Sequence, residues 1–279
     1  MKIILAKSAG FCFGVKRATT MAFAAAENRD QICSFGPIIH SPQVVQRLAD
    51  KGVTVVDDID AIEDAAVIIR SHGVEAGDLD RIQNRGLEII DATCPFVKKA
   101  QNHAALLASE GYVVVVVGEA EHPEVQGIVS YAAGCQAHVV AGRDDAEKLP
   151  RATKIGIVAQ TTQSYENFKQ VVDACLGRCQ ELRVFNTICD ATNVRQAEAK
   201  AIAAAVEVML VVGGYNSANT TRLASICRDI QPRTHHIETT DEILQEWFVD
   251  VKTVGVTAGA STPHWIIEQV VDRLTECGG

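Results

Sequence analysis

The sequence predicts an α/β protein assembled from three copies of one βαβ-rich unit, with mostly parallel sheets. Three observations predict it. The stretches "CFGVKRA" at Cys12, "CPFVKKA" at Cys94 and "CDATNVRQA" at Cys189 share one pattern, the third with two extra residues before Val194. A polar residue in a turn follows each cysteine by 28 positions: His40, His122 and Ser217. A third element then recurs as "VIIRSHGVEAGDLDRI", "IGIVAQTTQSYENFKQV" and "VGVTAGASTPHWIIEQV". Each is an apolar strand that ends in small polar residues and opens a helix.

The elements follow in order. "KIILA", "LEII" and "LRVF" read as short strands before the three cysteines, and an Ala-rich helical segment follows each. Proline is favoured at the first helical position, where its missing N–H costs nothing, so Pro95 puts Cys94 at or next to a helix N-cap. Ser, Thr, Asn or Asp would cap better, which leaves the thiol in need of another role. "YVVVVV" from Tyr112 is the longest unbroken apolar run. It reads as a strand buried on both faces, the mark of a parallel sheet. Ligands of open parallel sheets bind at the carboxyl ends of the strands, where all of these turns lie.

Composition narrows the function classes. The 279 residues are 47% hydrophobic and 22% charged, ordinary for a soluble globular protein. A formal charge of −9 argues against binding to nucleic acid or an anionic membrane, so an anionic ligand needs a local pocket. No signal peptide or membrane span is evident, and a cytoplasmic location is expected. Nine cysteines, an odd number in a long chain, do not read as a disulfide framework. Cys33, Cys135, Cys175, Cys179, Cys227 and Cys277 stand in no recurring context and read as small hydrophobes. "GGYN" matches neither the P-loop nor the dinucleotide fingerprint. His103, His138, His235 and His236 read as structural, and Lys16, Arg17, Lys98 and Lys99 as a solvated helix face.

The repeat singles out Cys12, Cys94 and Cys189. A thiol at a helix N-terminus is favoured as thiolate, the form that ligates metal. Three thiolates without a fourth cysteine or histidine in register suit a four-iron cluster with one open iron. A structural zinc site and three unrelated core cysteines are the alternatives. The other turns supply His40, His72, His122, Glu124, Thr161, Thr162, Ser217, Asn219 and Ser261. Many donors and one carboxylate describe an anion site, most naturally for phosphate or diphosphate. Reductive chemistry on a phosphorylated compound follows.

"GFCFGV", "SHGV", "DATCP", "EHPEV", "QTT", "NSAN" and "TAGAST" run in order from Phe11 to the helix after Ser261. In these motifs the chain closely resembles the 4-hydroxy-3-methylbut-2-enyl diphosphate reductase family, which closes the non-mevalonate isoprenoid pathway. The resemblance implies three αβα units in a trefoil around a central cluster-containing cavity. They would span 13–93, 94–188 and 189–279, the last completed by the N-terminal strand 1–12. It implies a [4Fe-4S] cluster on Cys12, Cys94 and Cys189, with an open fourth iron. Diphosphate contacts would come from His40, His72, His122, Ser217, Asn219 and Ser261. Thr161 would help position the substrate hydroxyl. Glu124 would deliver a proton, its pKa raised by the neighbouring diphosphate; the alternative is a glutamate that caps the following helix. The implied reaction removes an allylic hydroxyl with two electrons and two protons, giving isopentenyl and dimethylallyl diphosphate. Ferredoxin or flavodoxin is the electron donor the family leads one to expect. Ala218 departs from a serine found in some members, and His264 stands where an acidic residue is expected. Two other classes compete: an iron–sulfur hydro-lyase acting on a phosphorylated substrate, and a non-enzymatic iron–sulfur sensor.

Overall fold

The computed structural model describes residues 1–29, 31–63 and 65–277, with the side chain of Cys277 excepted, so the structural role expected of that cysteine lies outside the described residues. In chain order, β1 (Lys2–Leu5) is followed by α1 (Phe13–Glu27), β2 (Ile32–Phe35), α2 (Pro42–Ala49), β3 (Val53–Val56), β4 (Ala66–Ile69), α3 (Ala76–Asn84) and β5 (Ile89–Asp91). Next come α4 (Pro95–Ser109), β6 (Val113–Val117), α5 (Pro123–Ser130), β7 (Ala137–Val140), α6 (Arg143–Ala146), β8 (Ala152–Ala159), α7 (Tyr165–Leu176) and β9 (Cys179–Val184). The last stretch holds α8 (Asp190–Ala203), β10 (Val208–Val212), α9 (Ala218–Ile230), β11 (Thr234–Ile237), β12 (Thr253–Ala258) and α10 (His264–Cys277).

The chain packs as two compact units. One comprises Met1–Lys16, Ile39–Gln46 and the chain from Asp190 onward. Its sheet has the order β1-β12-β10-β11, every pair parallel. Strand β1 lies beside β12, with Lys2 opposite Thr253. Val208, Leu210 and Val212 of β10 turn to one face, against Val254, Val256, Ile267, Val270 and Leu274. Met209 and Val211 turn to the other, against Ile202, Leu223 and Cys227. The two-residue period of a strand feeds two cores, which is why β10 has no polar position.

The other unit comprises Arg17–Ile38 and Arg47–Cys189 and holds two sheets, ordered β3-β2-β4-β5 and β7-β6-β8-β9. These too are parallel throughout. The valine run divides in the same way: Val115 and Val117 join Phe168, Val171 and Cys175, while Val114 and Val116 join Leu107 and Ile128. All three sheets therefore share one order. In each, an inner strand (β2, β6 or β10) leads by a helix to an edge strand on one side, and the next strand (β4, β8 or β12) sits on its other side. This reversal is a topological switch point, where parallel sheets open a crevice for ligands at their carboxyl ends. Among the described residues, no helix is long and apolar enough to cross a membrane.

Candidate functional site

Each cysteine of the repeat stands between an edge strand and a helix, and its backbone is anchored alike in all three. Cys94 is the N-cap residue of α4, extended at φ −60° and ψ 132°, with Pro95 following and no capping bond from its thiol. Its N–H donates to the Ser71 carbonyl at 2.9 Å, in the turn after β4. The Cys189 N–H donates to the Thr161 carbonyl at 3.0 Å, after β8. The Cys12 N–H donates to the Ala260 carbonyl at 3.2 Å, after β12. Every acceptor directly precedes a polar turn residue: His72, Thr162 and Ser261. The Cys12 sulfur also accepts from the Val15 N–H at 3.5 Å, within the first turn of α1.

The two-sheet unit carries a continuous polar chain between Cys94 and Cys189. From Cys94 it passes through Ser71 to His72, whose ring meets that of His122 edge-on at 5.5 Å between centroids. His122 caps α5, its Nδ1 accepting from the Glu124 N–H at 3.1 Å. A neutral ring so engaged carries its proton on Nε2 and presents a donor there. Glu124 is only 2% exposed. Its two oxygens accept from the Thr161 N–H at 2.6 Å and the Thr161 hydroxyl at 2.9 Å. The carboxylate thus bonds across to the turn after β8 and does not cap its own helix. Thr161 closes the chain through its carbonyl to Cys189.

Burial pushes the Glu124 carboxyl up to about 7; the bonds from Thr161 oppose the rise and the charge of Glu119 adds to it. The rise expected from a bound diphosphate is therefore built into the protein before any ligand arrives, and its cause is desolvation.

In the other unit, the Ser261 hydroxyl donates to the His40 carbonyl at 3.1 Å and lies 3.4 Å from the Ser217 hydroxyl. Ser217 caps α9, accepting from the Thr220 N–H. Asn219, in the first turn of α9, is buried, and its Nδ2 has no hydrogen-bond partner among the described residues; the same holds for the Thr162 hydroxyl. A buried donor without a partner costs about 1–3 kcal/mol, a cost that an anionic ligand would remove. The structure thus groups His72, His122, Glu124, Thr161 and Thr162 in one unit, and His40, Ser217, Asn219 and Ser261 in the other.

Comparisons with known proteins place the whole chain in one family. Residues 3–275 match the family described as LytB protein. The chain belongs to the LytB family. It is 62% identical over 276 residues to the 4-hydroxy-3-methylbut-2-enyl diphosphate reductase of Syntrophotalea carbinolica, covering 99% of both chains. With the enzyme of that name from Geobacter sulfurreducens it shares 60% identity, covering 99% of this chain and 98% of the relative. A solved structure described as (E)-4-hydroxy-3-methyl-but-2-enyl diphosphate reductase, the terminal enzyme of the non-mevalonate pathway, matches 99% of this chain and all of its own at 45% identity, with a TM-score of 0.72. The Plasmodium falciparum reductase structure matches 98% of this chain and 87% of its own at 26% identity, with a TM-score of 0.91.

Several other cysteines and histidines of this LytB chain are engaged in packing or local bonds. Burial raises the thiol pKa of Cys33, Cys135 and Cys179, takes Cys175 up to about 11 and Cys227 up to about 12, so these thiols resist becoming ligands. His103 stacks on Phe185 at 4.0 Å and His235 on Trp247 at 3.7 Å. His236 bonds the Gly213 carbonyl through Nε2 at 2.8 Å. His264 is exposed at the start of α10 and pairs with Glu268 at 3.3 Å. Arg17 departs from the solvated face expected of it: it donates to two backbone carbonyls just before Cys94. Arg195 does the same just before Cys12. Sequence reading missed both, because a basic residue one turn into a helix usually points at water.

Proposed function

We propose that this chain reductively dehydroxylates 4-hydroxy-3-methylbut-2-enyl diphosphate to isopentenyl and dimethylallyl diphosphate, using a [4Fe-4S] cluster on Cys12, Cys94 and Cys189. The observation that carries the reading is the shared backbone anchor of the three cysteines, each at a helix N-terminus and each tied to a polar turn. Three thiols at three helix N-termini are a donor set that suits an iron–sulfur cluster, and with three protein ligands one iron keeps an open position. When bound, such a cluster supplies electrons and a Lewis acid.

The protein's own residues do the rest. His40, His72, His122, Ser217, Asn219 and Ser261 are the proposed diphosphate contacts, and they offer donors in place of bulk positive charge. That suits a chain of charge −9, whose overall field repels anions. With Nδ1 accepting from the Glu124 N–H, Nε2 is the donor nitrogen of His122. Glu124, with its pKa near 7, holds a proton that it can give to the departing hydroxyl or to the allyl carbon. Thr161 positions that carboxyl through two hydrogen bonds, and Thr162 offers a further hydroxyl to the substrate. The balance is substrate plus two electrons plus two protons, giving isopentenyl or dimethylallyl diphosphate and water. The family precedent makes ferredoxin or flavodoxin the donor, and the units 13–93, 94–188 and 189–279 with 1–12 are the proposed domains.

Anaerobic assay with the hydroxy-butenyl diphosphate, dithionite and a viologen mediator tests the reading. Reductant-dependent formation of the two products supports it. Conversion without reductant would point to a hydro-lyase. A cluster that forms without any turnover would point to a sensor.

A further inference from the structure

We propose that Arg17 and Arg195 are positioning residues that brace the turns presenting Cys94 and Cys12. Each arginine lies one turn or so into the helix that follows another of the three cysteines. The inference rests on the reading that these cysteines hold the cluster.

Arg195 is only 3% exposed. Its Nε and Nη2 donate to the Ser8 carbonyl at 3.1 and 2.8 Å, and Nη2 also donates to the Gly10 carbonyl at 2.8 Å. Gly10 has φ +94°, a conformation that glycine adopts freely and L side chains rarely do, so the chain turns sharply just ahead of Cys12. Glu198, three residues further along α8, takes the Lys7 and Ser8 N–H groups, both at 2.8 Å. The turn before Cys12 is thus gripped at its carbonyls by a cation and at its amides by an anion. Both come from the helix that begins after Cys189.

Arg17 repeats the arrangement. From α1, the helix after Cys12, its Nη1 donates to the Thr93 carbonyl at 3.1 Å and its Nη2 to the Asp91 carbonyl at 3.4 Å. Asp91 in turn fixes the same turn by accepting from the Thr93 N–H at 2.9 Å. The third helix, α4, has Lys98 and Lys99 at the corresponding places, both exposed, and instead stacks His103 on Phe185 shortly before Cys189. A planar guanidinium fork can hold two carbonyls of one turn at once, and a lysine ammonium in that place cannot span both. Each brace therefore makes the geometry of one cysteine turn depend on the helix of another.

Per-cysteine alkylation tests the brace without metal. Full-length iron-free protein is treated with iodoacetamide, and the rate at each cysteine is followed by mass spectrometry. Arg17→Met should speed Cys94 about tenfold or more, the factor expected when a charge-assisted hydrogen bond is lost. Cys12, Cys175 and Cys227 should keep their wild-type rates. Arg17→Lys should fall between, and Arg195→Lys should speed Cys12 alone. An unchanged Cys94 rate, or a rise at all cysteines together, would overturn the brace. A second measurement follows iron release to a chelator from anaerobically reconstituted protein. Faster release in Arg17→Met supports the proposal. If Cys94→Ser binds and keeps iron as wild type does, the ligand reading fails, whatever alkylation shows.

Discussion

Both oxygens of Glu124 face Thr161, and its helix is capped by an imidazole. A carboxyl so placed stays protonated to about pH 7 in the folded chain, against about 4.5 when unfolded. Below pH 4.5 both states hold the proton. Between 4.5 and 7 only the unfolded chain releases it, so stability falls as pH rises through that window, by up to about 3 kcal/mol, and the loss is complete above it. Glu124→Gln keeps the acceptor for the Thr161 N–H and can donate to its hydroxyl, yet has nothing to ionise. The melting temperature of the variant relative to wild type should therefore climb from pH 4.5 to pH 7, and a constant difference would remove the buried titration. Turnover should move the opposite way. The variant should bind the diphosphate and lose roughly 10²-fold or more in kcat, the scale of general acid catalysis. Wild-type kcat should itself decline as pH passes about 7. A variant that turns over normally would leave the proton donor unidentified.

Among the elements, the helix starts were the most legible, for a chemical reason. Pro95 and Pro123 both stand at first helical positions; Cys94 was readable as a cap from sequence alone, and His122 as a turn residue ahead of a helix. The glycines were less legible. Gly213 of "GGYN" needs φ +142°, and an added Cβ would strike Thr262 and Thr220, so the motif serves a tight turn and no cofactor loop. Gly156 on β8 and Gly255 on β12 occupy matching places in their sheets. A Cβ at Gly156 would come within 2.5 Å of Leu107 on α4, and one at Gly255 within 2.6 Å of Ile202 on α8. The helices that begin at Cys94 and Cys189 thus lie directly on a bare stretch of sheet. Nothing in a single sequence marks which glycine serves such an approach. Gly255→Ala should cost about 1–3 kcal/mol, the usual range for overpacking, seen as a lower denaturant midpoint with an unchanged slope. An unchanged midpoint would mean that α8 has room to shift.

Across the whole chain, one strand order serves three sheets, and the repeat visible in sequence is the trace of that order. The 28-residue spacing from cysteine to polar turn measures one helix, one strand and two turns, which parallel topology holds nearly constant. The placing of the N-terminal strand with the last unit, seen here as β1 beside β12, came from the family resemblance alone, because an N-terminal strand carries no local sign of the partner it will meet after some 250 residues. Sequence could not separate nine thiols by burial, which depends on contacts between distant segments. That separation gives the final prediction. Cys12, Cys94 and Cys189 are partly exposed at helix starts, whereas Cys33, Cys175 and Cys227 are buried with raised pKa values. Anaerobically reconstituted wild-type protein should carry about four irons and four sulfides per chain. Changing Cys12, Cys94 or Cys189 to Ser should abolish the visible absorbance of the cluster and most of the iron. Cys175→Ser removes only a small buried hydrophobe from the core beside Phe168 and Val171, and should keep the full iron content. If iron is lost from Cys175→Ser while its circular dichroism stays native, the three-cysteine assignment is wrong, because a buried thiol of pKa about 11 would then be acting as a ligand.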